Sequence, residues 1–405
     1  MKKGMCILLS ASMLFLASCV LWDEAPELEP GSSDVSIVAP EMAGTSAETS
    51  ETTEETEVSV ETEPEVTEPV IEPNGEVCIL ITGDVHCGFE DGFGYEGLYE
   101  IRQDLEAQGY DTILIDNGDS IQGDDIGTVS QGEAVIGLMN DMGYDVAVPG
   151  NHEFDYGPDR FLELAEMAEY PYISCNFNWG GELILDPYVM IETCGMKIAF
   201  VGVTTPITVT SYAPGLFLDN EGNLIYGFMQ DDNGDSLYQA VQASVDAARA
   251  DGADHVFVIS HLGIEENCEP WTCTSVIANT TGIDAFFDGH SHDIAETPVL
   301  NSSGEEVTRY AVGTELSCIG YMFISPEGGI TDAGVWIWDN EMSAPAVFGI
   351  ENEISEPLDL AYAEVEAVMT EPSETEETEV SETTDGTDAT DVTEISDVTE
   401  GARIP

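Results

Sequence analysis

The run Val77-Cys78-Ile79-Leu80-Ile81-Thr82-Gly83-Asp84-Val85-His86 decides the fold. Its first six residues are apolar or β-branched, which is typical of a strand buried on both faces. A glycine and two polar side chains, Asp84 and His86, come directly after it. Because such strands need helices on the faces of their sheet, the run predicts an α/β domain with polar residues where a strand ends.

The same pattern recurs along the chain. Further strand candidates are Thr112–Asp116, Val146–Val148, Tyr172–Cys175, Lys197–Val203, His255–Ser260 and Ile283–Phe287. Helix candidates are Tyr95–Gln108, Glu133–Met142, Pro158–Ala168 and Ser236–Ala250. This alternation predicts partly parallel sheets covered by helices, with a site in the crevice beyond the carboxyl ends of the strands.

Five strand ends are followed by Asp, Asn or His. The segments are Gly83-Asp84-Val85-His86, Asn117-Gly118-Asp119, Gly150-Asn151-His152-Glu153-Phe154-Asp155, Ser260-His261 and Asp288-Gly289-His290-Ser291-His292. They contain every histidine of the chain except His255, which begins a strand candidate and receives no role. Carboxylates and imidazoles together bind divalent ions such as Zn, Mn, Fe or Co. The segments therefore predict a metal site at one edge of the sheet.

These segments resemble the motifs of the calcineurin-like metallophosphoesterases. The longer string Pro149-Gly150-Asn151-His152-Glu153-Phe154-Asp155-Tyr156-Gly157, with Val203-Thr204-Thr205-Pro206, looks like the 5′-nucleotidase branch of that superfamily. The resemblance implies a four-layer α/β/β/α sandwich with a site for two metal ions at its edge. It covers nearly all of residues 76–330.

The resemblance also implies the ligands of the two ions. One ion would bind Asp84, His86, Asp119 and His292. The other would bind Asp119, Asn151, His261 and His290. Asp119 would bridge them, as a carboxylate with two oxygens can do for ions about 3.5–4 Å apart. The identity of the ions, Zn, Mn, Co or Fe, stays open.

By the same resemblance, a water or hydroxide held by the two ions would attack phosphorus in line. His152 matches the catalytic histidine of the family, which stabilises the transition state or protonates the leaving oxygen. Asp155 would orient that imidazole and keep it cationic. A purely local role for Asp155, as the cap of the helix that follows, is compatible with this one.

Three functions remain open from the sequence. The first is hydrolysis of phosphate monoesters, 5′-nucleotidase-like on nucleotides; the second is cyclic-nucleotide phosphodiesterase activity; the third is a non-catalytic surface binding protein. Nucleotidases of this branch usually carry a second domain that clamps the nucleoside, whereas the sequence after Trp338 predicts only a helix around Pro357–Met369 and an acidic tail. Arg160 and Arg309 are candidates for a phosphate contact or for salt bridges.

The charge balance narrows the possible partners. The chain has 8 Lys and Arg against 81 Asp and Glu, a formal net charge of −73. Such a field argues against binding to nucleic acid or to anionic membranes by charge. For an anionic substrate, bound metal ions must therefore supply the positive charge.

The ends of the chain predict export. Residues 1–19 read as a lipoprotein signal peptide, with Lys2 and Lys3 before an apolar run and a lipobox that ends at Cys19. The lipid on Cys19 would be the only membrane contact, on the outer face of a bacterial cytoplasmic membrane or on the cell surface. A disordered acidic linker (20–75), the catalytic domain (76–345), a short helical extension (346–370) and a disordered acidic tail (371–405) would follow.

The chain has nine cysteines, of which seven remain after the signal peptide and the lipidated residue. Cys268 and Cys273, with four residues between them, are the pair most expected to form a disulfide. The other five are expected to be small buried hydrophobic residues. They are Cys78, Cys87, Cys175, Cys194 and Cys318.

Overall fold

In the computed structural model of the protein, residues 74–212, 214–338 and 352–370 are described. The predicted signal peptide with Cys19 (1–19), the linker (20–75) up to residue 73, and the tail (371–405) lie outside these residues. Among the described residues, no helix is long and apolar enough to cross a membrane.

The strands alternate with helices along the chain. The strands are β1 (Val77–Thr82), β2 (Asp111–Asp116), β3 (Val146–Ala147), β4 (Asn178–Trp179), β5 (Glu182–Leu183), β6 (Tyr188–Thr193), β7 (Met196–Thr204), β8 (Tyr226–Gly227), β9 (His255–His261), β10 (Ala285–Asp288), β11 (Ile294–Leu300), β12 (Glu306–Val312), β13 (Cys318–Ile324) and β14 (Ile330–Ile337). The helices are α1 (Gly94–Ala107), α2 (Asp125–Ser130), α3 (Glu133–Met142), α4 (Pro158–Met167), α5 (Asp235–Ala250), α6 (Cys273–Asn279) and α7 (Ser355–Thr370).

Two large sheets carry the fold. The first has the order β14-β13-β1-β2-β3, with β1, β2 and β3 parallel and the hairpin β13–β14 joined to β1 through the antiparallel strand β13. The second has the order β11-β12-β10-β9-β7-β6, with β7, β9, β10 and β12 parallel. A small third sheet has the order β5-β4-β8. The parallel strands of each large sheet therefore end at one edge, as the sequence predicted.

Strand β1 shows how the layers are stacked. Cys78 and Leu80 point into a core shared with the helices α1 to α4 and α7, while Ile79 and Ile81 point into a core shared with the second sheet. Side chains of a strand alternate between its two faces, so an apolar run can fill two cores at once. The first sheet thus separates a layer of helices from the second sheet.

The side chains of strand β9, in the second sheet, also alternate between two cores. Phe257 and Ile259 fill the core between the sheets, whereas Val256 and Val258 pack in a third core with α5 and α6. Helix α5 buries Leu237, Val241, Val245 and Ala248 at helical spacing in that core. The order of layers is helix, sheet, sheet, helix, so the predicted α/β/β/α sandwich is confirmed.

The predicted helices are all present, with ends shifted by at most two residues, including the helix expected around Pro357–Met369. The predicted strand Tyr172–Cys175 is wrong. Here the chain crosses between the sheets: the N–H of Ile173 donates to the carbonyl of Ala147 in β3, and the N–H of Cys175 donates to that of Gly202 in β7. Hydrogen bonds divided between two sheets do not build a strand of either one.

The predicted disulfide is also wrong, because Cys268 and Cys273 are both free thiols. Cys268 ends a short turn, with its Sγ atom 3.8 Å from Glu265 Oε2. Cys273 begins α6 and faces Asp288 and Arg309. The two sulfur atoms thus lie in different surroundings and are not bonded to each other. Of the five other cysteines, all except the half-buried Cys194 are buried as predicted.

Candidate metal centre

The loops after β1 and β2 bring Asp84, His86 and Asp119 to one edge of the first sheet. The loops are tied together: the N–H of Asp84 donates to the Gly118 carbonyl at 2.8 Å, and that of His86 to the Asp119 carbonyl at 3.0 Å. The φ angles of Asp84, His86 and Asp119 are 51°, 47° and 60°. Left-handed backbone at residues other than glycine is costly and persists where the surrounding structure enforces it, often at functional sites.

The loops after β9 and β10 bring three imidazoles to the facing edge of the second sheet. His261 is the last residue of β9, and His290 and His292 follow β10 with φ angles of 79° and 52°. The N–H of His290 donates to both carboxylate oxygens of Asp84 at 3.0 Å. A Cβ atom on Gly289 would lie 3.0 Å from Asp84 Oδ2, so glycine permits this close approach. The two edges therefore meet at Asp84.

Two clusters of ligand atoms result. In the first, Asp84, His86 and His292 place one ligand atom each within 4.8 Å of one another. The Nε2 atoms of His86 and His292 are 3.2 Å apart, and His292 Nε2 is 3.4 Å from Asp84 Oδ1. Two imidazole nitrogens and a carboxylate oxygen thus face a common point, a donor set suited to a divalent ion.

The second cluster consists of Asp119, His261 and His290, again with ligand atoms within 4.8 Å of one another. Asp119 Oδ2 lies 2.8 Å from His261 Nε2 and 3.9 Å from His86 Nε2, which belongs to the first cluster. Asp119 therefore belongs to the second cluster and is also adjacent to the first, so its carboxylate could bridge two ions.

Buried atoms without hydrogen-bond partners test whether ions fit here. Asn151 Oδ1 is buried and has no hydrogen-bond partner, and the buried His261 Nε2 lies 2.8 Å from the Asp119 carboxylate. A buried polar group left unsatisfied costs about 1–3 kcal/mol. A cation between the two edges would satisfy both atoms, so the residues present fit a metal centre.

Backbone carbonyls fix how two imidazoles face the centre. His86 Nδ1 is 2.9 Å from the carbonyl of Gln122, and His261 Nδ1 is 2.8 Å from that of Asn117. A carbonyl oxygen only accepts hydrogen bonds, so each Nδ1 carries the proton. Once the ring has lost its second proton, the Nε2 lone pair is available to a metal ion, an arrangement common for histidine ligands.

The carboxylates at the two sheet edges favour the binding of a cation between them. Burial lowers the pKa of His261, but the nearby carboxylates of Asp119 and Asp84 outweigh it and raise the pKa to about 10. Burial raises the pKa of Asp119, but His261 holds it far below its usual range. Without an ion, the acids therefore retain a proton on the imidazole. A divalent ion competes with that proton and releases it on binding.

His152 and Asp155 form a pair beside the two clusters. His152 Nδ1 is 2.7 Å from Asp155 Oδ2, and the N–H of His152 donates to Asp119 Oδ1 at 2.8 Å. Burial lowers the pKa of His152, while the hydrogen bond to Asp155 and the charge of Asp119 raise it to about 9. The imidazole is thus largely cationic at neutral pH and able to donate a proton.

Two buried carboxylates hold the loops of the first sheet. Glu153 accepts hydrogen bonds from the N–H groups of Asp119 and Ser120 at 2.8 Å, of Gly150 at 2.6 Å and of Ile121 at 3.3 Å. Asp116 accepts from the Gly118 N–H at 2.9 Å. Neither role was predicted, although Glu153 lies within the quoted motif.

Three more residues at the site were not predicted. Tyr212 is half-exposed, with its ring centroid 6.0 Å from that of His152 and 5.8 Å from that of His290. Glu265 and Cys268 form a third group of possible ligands with His290. No pattern in the sequence marks these loop residues, because only the folding of the chain brings them to the site.

The two candidate arginines are engaged in salt bridges. Arg160 pairs with Glu133 and Glu163 at the surface, both at 3.1 Å. Arg309 is buried and pairs with Asp288 and Asp293. Of the two alternatives that the sequence left open for these residues, the structure therefore favours the salt bridge.

A family model described as calcineurin-like phosphoesterase matches residues 78–293. The chain belongs to the calcineurin-like phosphoesterases. The match begins in β1 and ends directly after His292, so it includes all the strand ends described above. The two sheets covered by helices agree with the fold that this family implied.

This calcineurin-like phosphoesterase is similar to curated nucleotide phosphoesterases. It is 28% identical over 258 residues to the trifunctional nucleotide phosphoesterase protein YfkN of Bacillus subtilis, covering 55% of this chain and 17% of that protein. It is 29% identical over 204 residues to a probable 5′-nucleotidase of Treponema pallidum, covering 49% and 31%. The chain therefore spans less than a third of the length of either relative.

A solved structure shares the fold. The 5′-nucleotidase precursor from Thermus thermophilus superposes with a TM-score of 0.58 at 20% sequence identity, covering 73% of this chain and 60% of that one. Similarity at this level of identity establishes the architecture of the calcineurin-like phosphoesterase and leaves its substrate to be argued from the site.

Proposed function

We propose that the chain is a metal-dependent hydrolase of phosphate monoesters, 5′-nucleotidase-like in its substrates. The observation that carries the proposal is the pair of adjacent Asp/His clusters, beside which the buried Asn151 Oδ1 has no hydrogen-bond partner. The family match and the nucleotide phosphoesterases among its relatives support it.

The clusters support a centre of two divalent ions, Zn, Mn, Co or Fe. One ion would bind Asp84, His86, Asp119 and His292. The other would bind Asp119, Asn151, His261 and His290. Two such ions supply Lewis acidity toward phosphate oxygens and lower the pKa of water. Each ion would draw ligands from both sheets.

His152 is proposed as the catalytic acid and Asp155 as its partner. The 2.7 Å hydrogen bond at Nδ1 keeps the imidazole in one orientation and cationic, which leaves Nε2–H to donate to the leaving oxygen of the ester. The N–H of His152 also donates to Asp119. The acid is thereby held at a fixed place relative to the proposed bridging carboxylate.

The substrate must be an anion that the ions can hold. Arg160 and Arg309 are engaged in ion pairs, so within the described residues they offer no free charge to a phosphate. Tyr212, beside His152 and His290, would contact the group attached to the phosphate. A second candidate, cyclic-nucleotide phosphodiesterase activity, gains support from a Haemophilus influenzae relative, 26% identical over 248 residues, that is named 2′,3′-cyclic-nucleotide 2′-phosphodiesterase/3′-nucleotidase.

The test is a hydrolysis screen of the purified full-length chain with Mn, Zn or Co on nucleoside monophosphates, cyclic nucleotides and sugar phosphates. We expect turnover of nucleoside monophosphates, reduced at least about 100-fold by His152→Ala. His255→Ala is the matched control, because His255 lies at the opposite end of β9 from His261 and should be silent.

Two outcomes would contradict the proposal. Metal binding without turnover of any substrate class would favour the third function left open by the sequence, a surface binding protein on this scaffold. Undiminished activity of His152→Ala would remove the catalytic assignment while leaving the metal centre in place.

We also propose that the protein is exported and held by a lipid on Cys19, which rests on the sequence of residues 1–19. In a bacterial host, labelled palmitate should be incorporated into the wild-type chain. Cys19→Ser should abolish the labelling, and incorporation that persists in this variant would exclude the anchor.

A further inference from the structure

Arg309 is the largest fully buried side chain among the described residues. The whole chain has only 8 Lys and Arg, and a buried guanidinium is costly unless it is fully paired. Arg309 lies in β12 next to β10, whose last residue is Asp288. A scarce cation is therefore placed directly behind the loop that carries two of the proposed metal ligands.

Three nitrogens of Arg309 contact carboxylates. Its Nε donates to Asp288 Oδ2 at 3.0 Å, and its two terminal nitrogens donate to the two oxygens of Asp293 at 2.7 Å each. Such a two-pronged pair with Asp293 fixes the direction as well as the distance of the contact. A lysine offers one nitrogen and cannot reproduce this geometry.

Asp288 and Asp293 flank the loop Gly289-His290-Ser291-His292 on its two sides. Arg309 thus joins the two ends of a four-residue loop, in which His290 and His292 both have left-handed backbone. A short loop with both ends held has few conformations available, so the strained backbone of its histidines can persist.

The far oxygen of Asp288 extends this connection to His261. Asp288 Oδ1 accepts hydrogen bonds from the Ser260 hydroxyl at 2.7 Å, the Leu262 N–H at 3.0 Å and the Gly263 N–H at 3.3 Å. These residues surround His261 in the chain. All three imidazoles of the second sheet are therefore tied to one ion-paired network centred on Arg309.

We propose that Arg309 is a positioning residue that sets the affinity of the site for divalent ions by fixing His290 and His292. The inference rests on the proposed metal-dependent function and adds to it the group that holds the imidazole side of the site. Arg309 touches no substrate. Its effect passes through Asp288 and Asp293 to the loop between them.

The test is calorimetric titration of the full-length chain with Zn and with Mn, together with melting temperatures in EDTA. Arg309→Lys keeps the charge and loses the two-pronged contact, and Asp293→Asn loses the negative charge and one of the two acceptor oxygens of that contact. Partners that orient metal ligands typically change metal affinity by about 10–100-fold. We expect that loss in both variants, and activity restored by excess metal.

Arg160→Lys is the matched control, because Arg160 also holds two carboxylates but at the surface. Its metal affinity should equal that of the wild type. If Arg309→Lys does not fold, Asp293→Asn in its folded form still decides the question. Folded variants with wild-type metal affinity would overturn the role of Arg309. A wild-type chain that binds no divalent ion would instead overturn the proposed function.

Discussion

The two edges that meet at the candidate metal centre are held in different ways. On the first sheet, the loops of Asp84 and Asp119 are held by the carboxylates of Asp116 and Glu153, which accept hydrogen bonds from uncharged N–H groups. On the second sheet, the loop of His290 is held by the cation of Arg309. On the first sheet, carboxylates therefore support the loops that carry the Asp ligands. On the second sheet, a guanidinium supports the loop that carries the His ligands.

This difference explains why the site favours cations. Burial raises the pKa of Asp116 to about 6 and, with the charge of Asp119, that of Glu153 to about 7, so a negative charge on this edge is costly without a nearby cation. The second edge brings imidazole ligands, and in the network behind them Arg309 offsets one of the two carboxylate charges of Asp288 and Asp293. Divalent ions between the edges would relieve the repulsion on the first side without creating any on the second.

The largest effect is expected when Asp119, the carboxylate adjacent to both clusters, is removed. We expect Asp119→Ala to lose both ions and at least about 10³-fold in kcat, since the ions contribute several kcal/mol to transition-state stabilisation. His290→Ala, on the second edge, should lose only one ion. Metal content measured by atomic spectroscopy separates the two variants, and two ions retained by Asp119→Ala would refute the bridging role.

Removing the ions should loosen both edges together, because each proposed ion takes ligands from both sheets. A ligand present at about 100 times its Kd contributes about 2.7 kcal/mol to the free energy of unfolding. We therefore expect EDTA to lower the melting temperature of the wild type and to leave that of Asp119→Ala unchanged. Equal melting temperatures of the wild type with and without EDTA would contradict a centre that joins the sheets.

Glu153→Gln tests the support of the first edge alone. A glutamine presents an NH₂ group to backbone N–H groups that need acceptors, so we expect the free energy of unfolding to fall by about 1–3 kcal/mol. Glu163→Gln, at an exposed position of α4, is the control and should change it by less than about 0.5 kcal/mol. Urea denaturation measures both, and equal stabilities would show that Glu153 does not hold the loops.

Asp155→Asn gives the smallest expected effect and sharpens the role of His152. Burial lowers the pKa of His152, and Asp155 is the largest contribution that raises it to about 9. If the cation is the catalytic form, activity falls as the pH rises through this value. The variant should therefore lose activity at lower pH than the wild type, with kcat down about tenfold at pH 8. An unchanged pH profile would show that Asp155 does not set the pKa of the proposed catalytic acid, His152.

The sequence predicted the part of the site that follows strands. Each proposed ligand comes one to five residues after an apolar run, and the ends of parallel strands meet at one edge, so local pattern and topology together were enough to predict that these side chains lie close together. Arg309 and Tyr212 illustrate what that reasoning cannot reach. Arg309 lies within a strand and acts through Asp288 and Asp293, and Tyr212 approaches His152 only because a loop folds over the site.

The fold was predicted best where its strands are buried on both faces. Strands β11 to β14 were not among the predictions, since they pair antiparallel or lie at the edges and, except in β13, mix exposed with buried side chains. The wrong strand Tyr172–Cys175 has the opposite cause. Its residues are buried and apolar enough for a strand, but their hydrogen bonds go to two different sheets.

Because β1 is buried on both faces, its apolar side chains alone do not fix its register against the neighbouring strand. A strand with one polar face is placed by that face, because sliding by one residue would turn it into the core. In β1 a slide would exchange Leu80 for Ile79 and cost little. The Thr82 hydroxyl at the end of β1 donates to Asp116 Oδ2 at 2.7 Å, and a strand displaced by one residue would lose this side-chain bond. The polar pair that precedes the proposed ligands thus also fixes the register of β1 against β2.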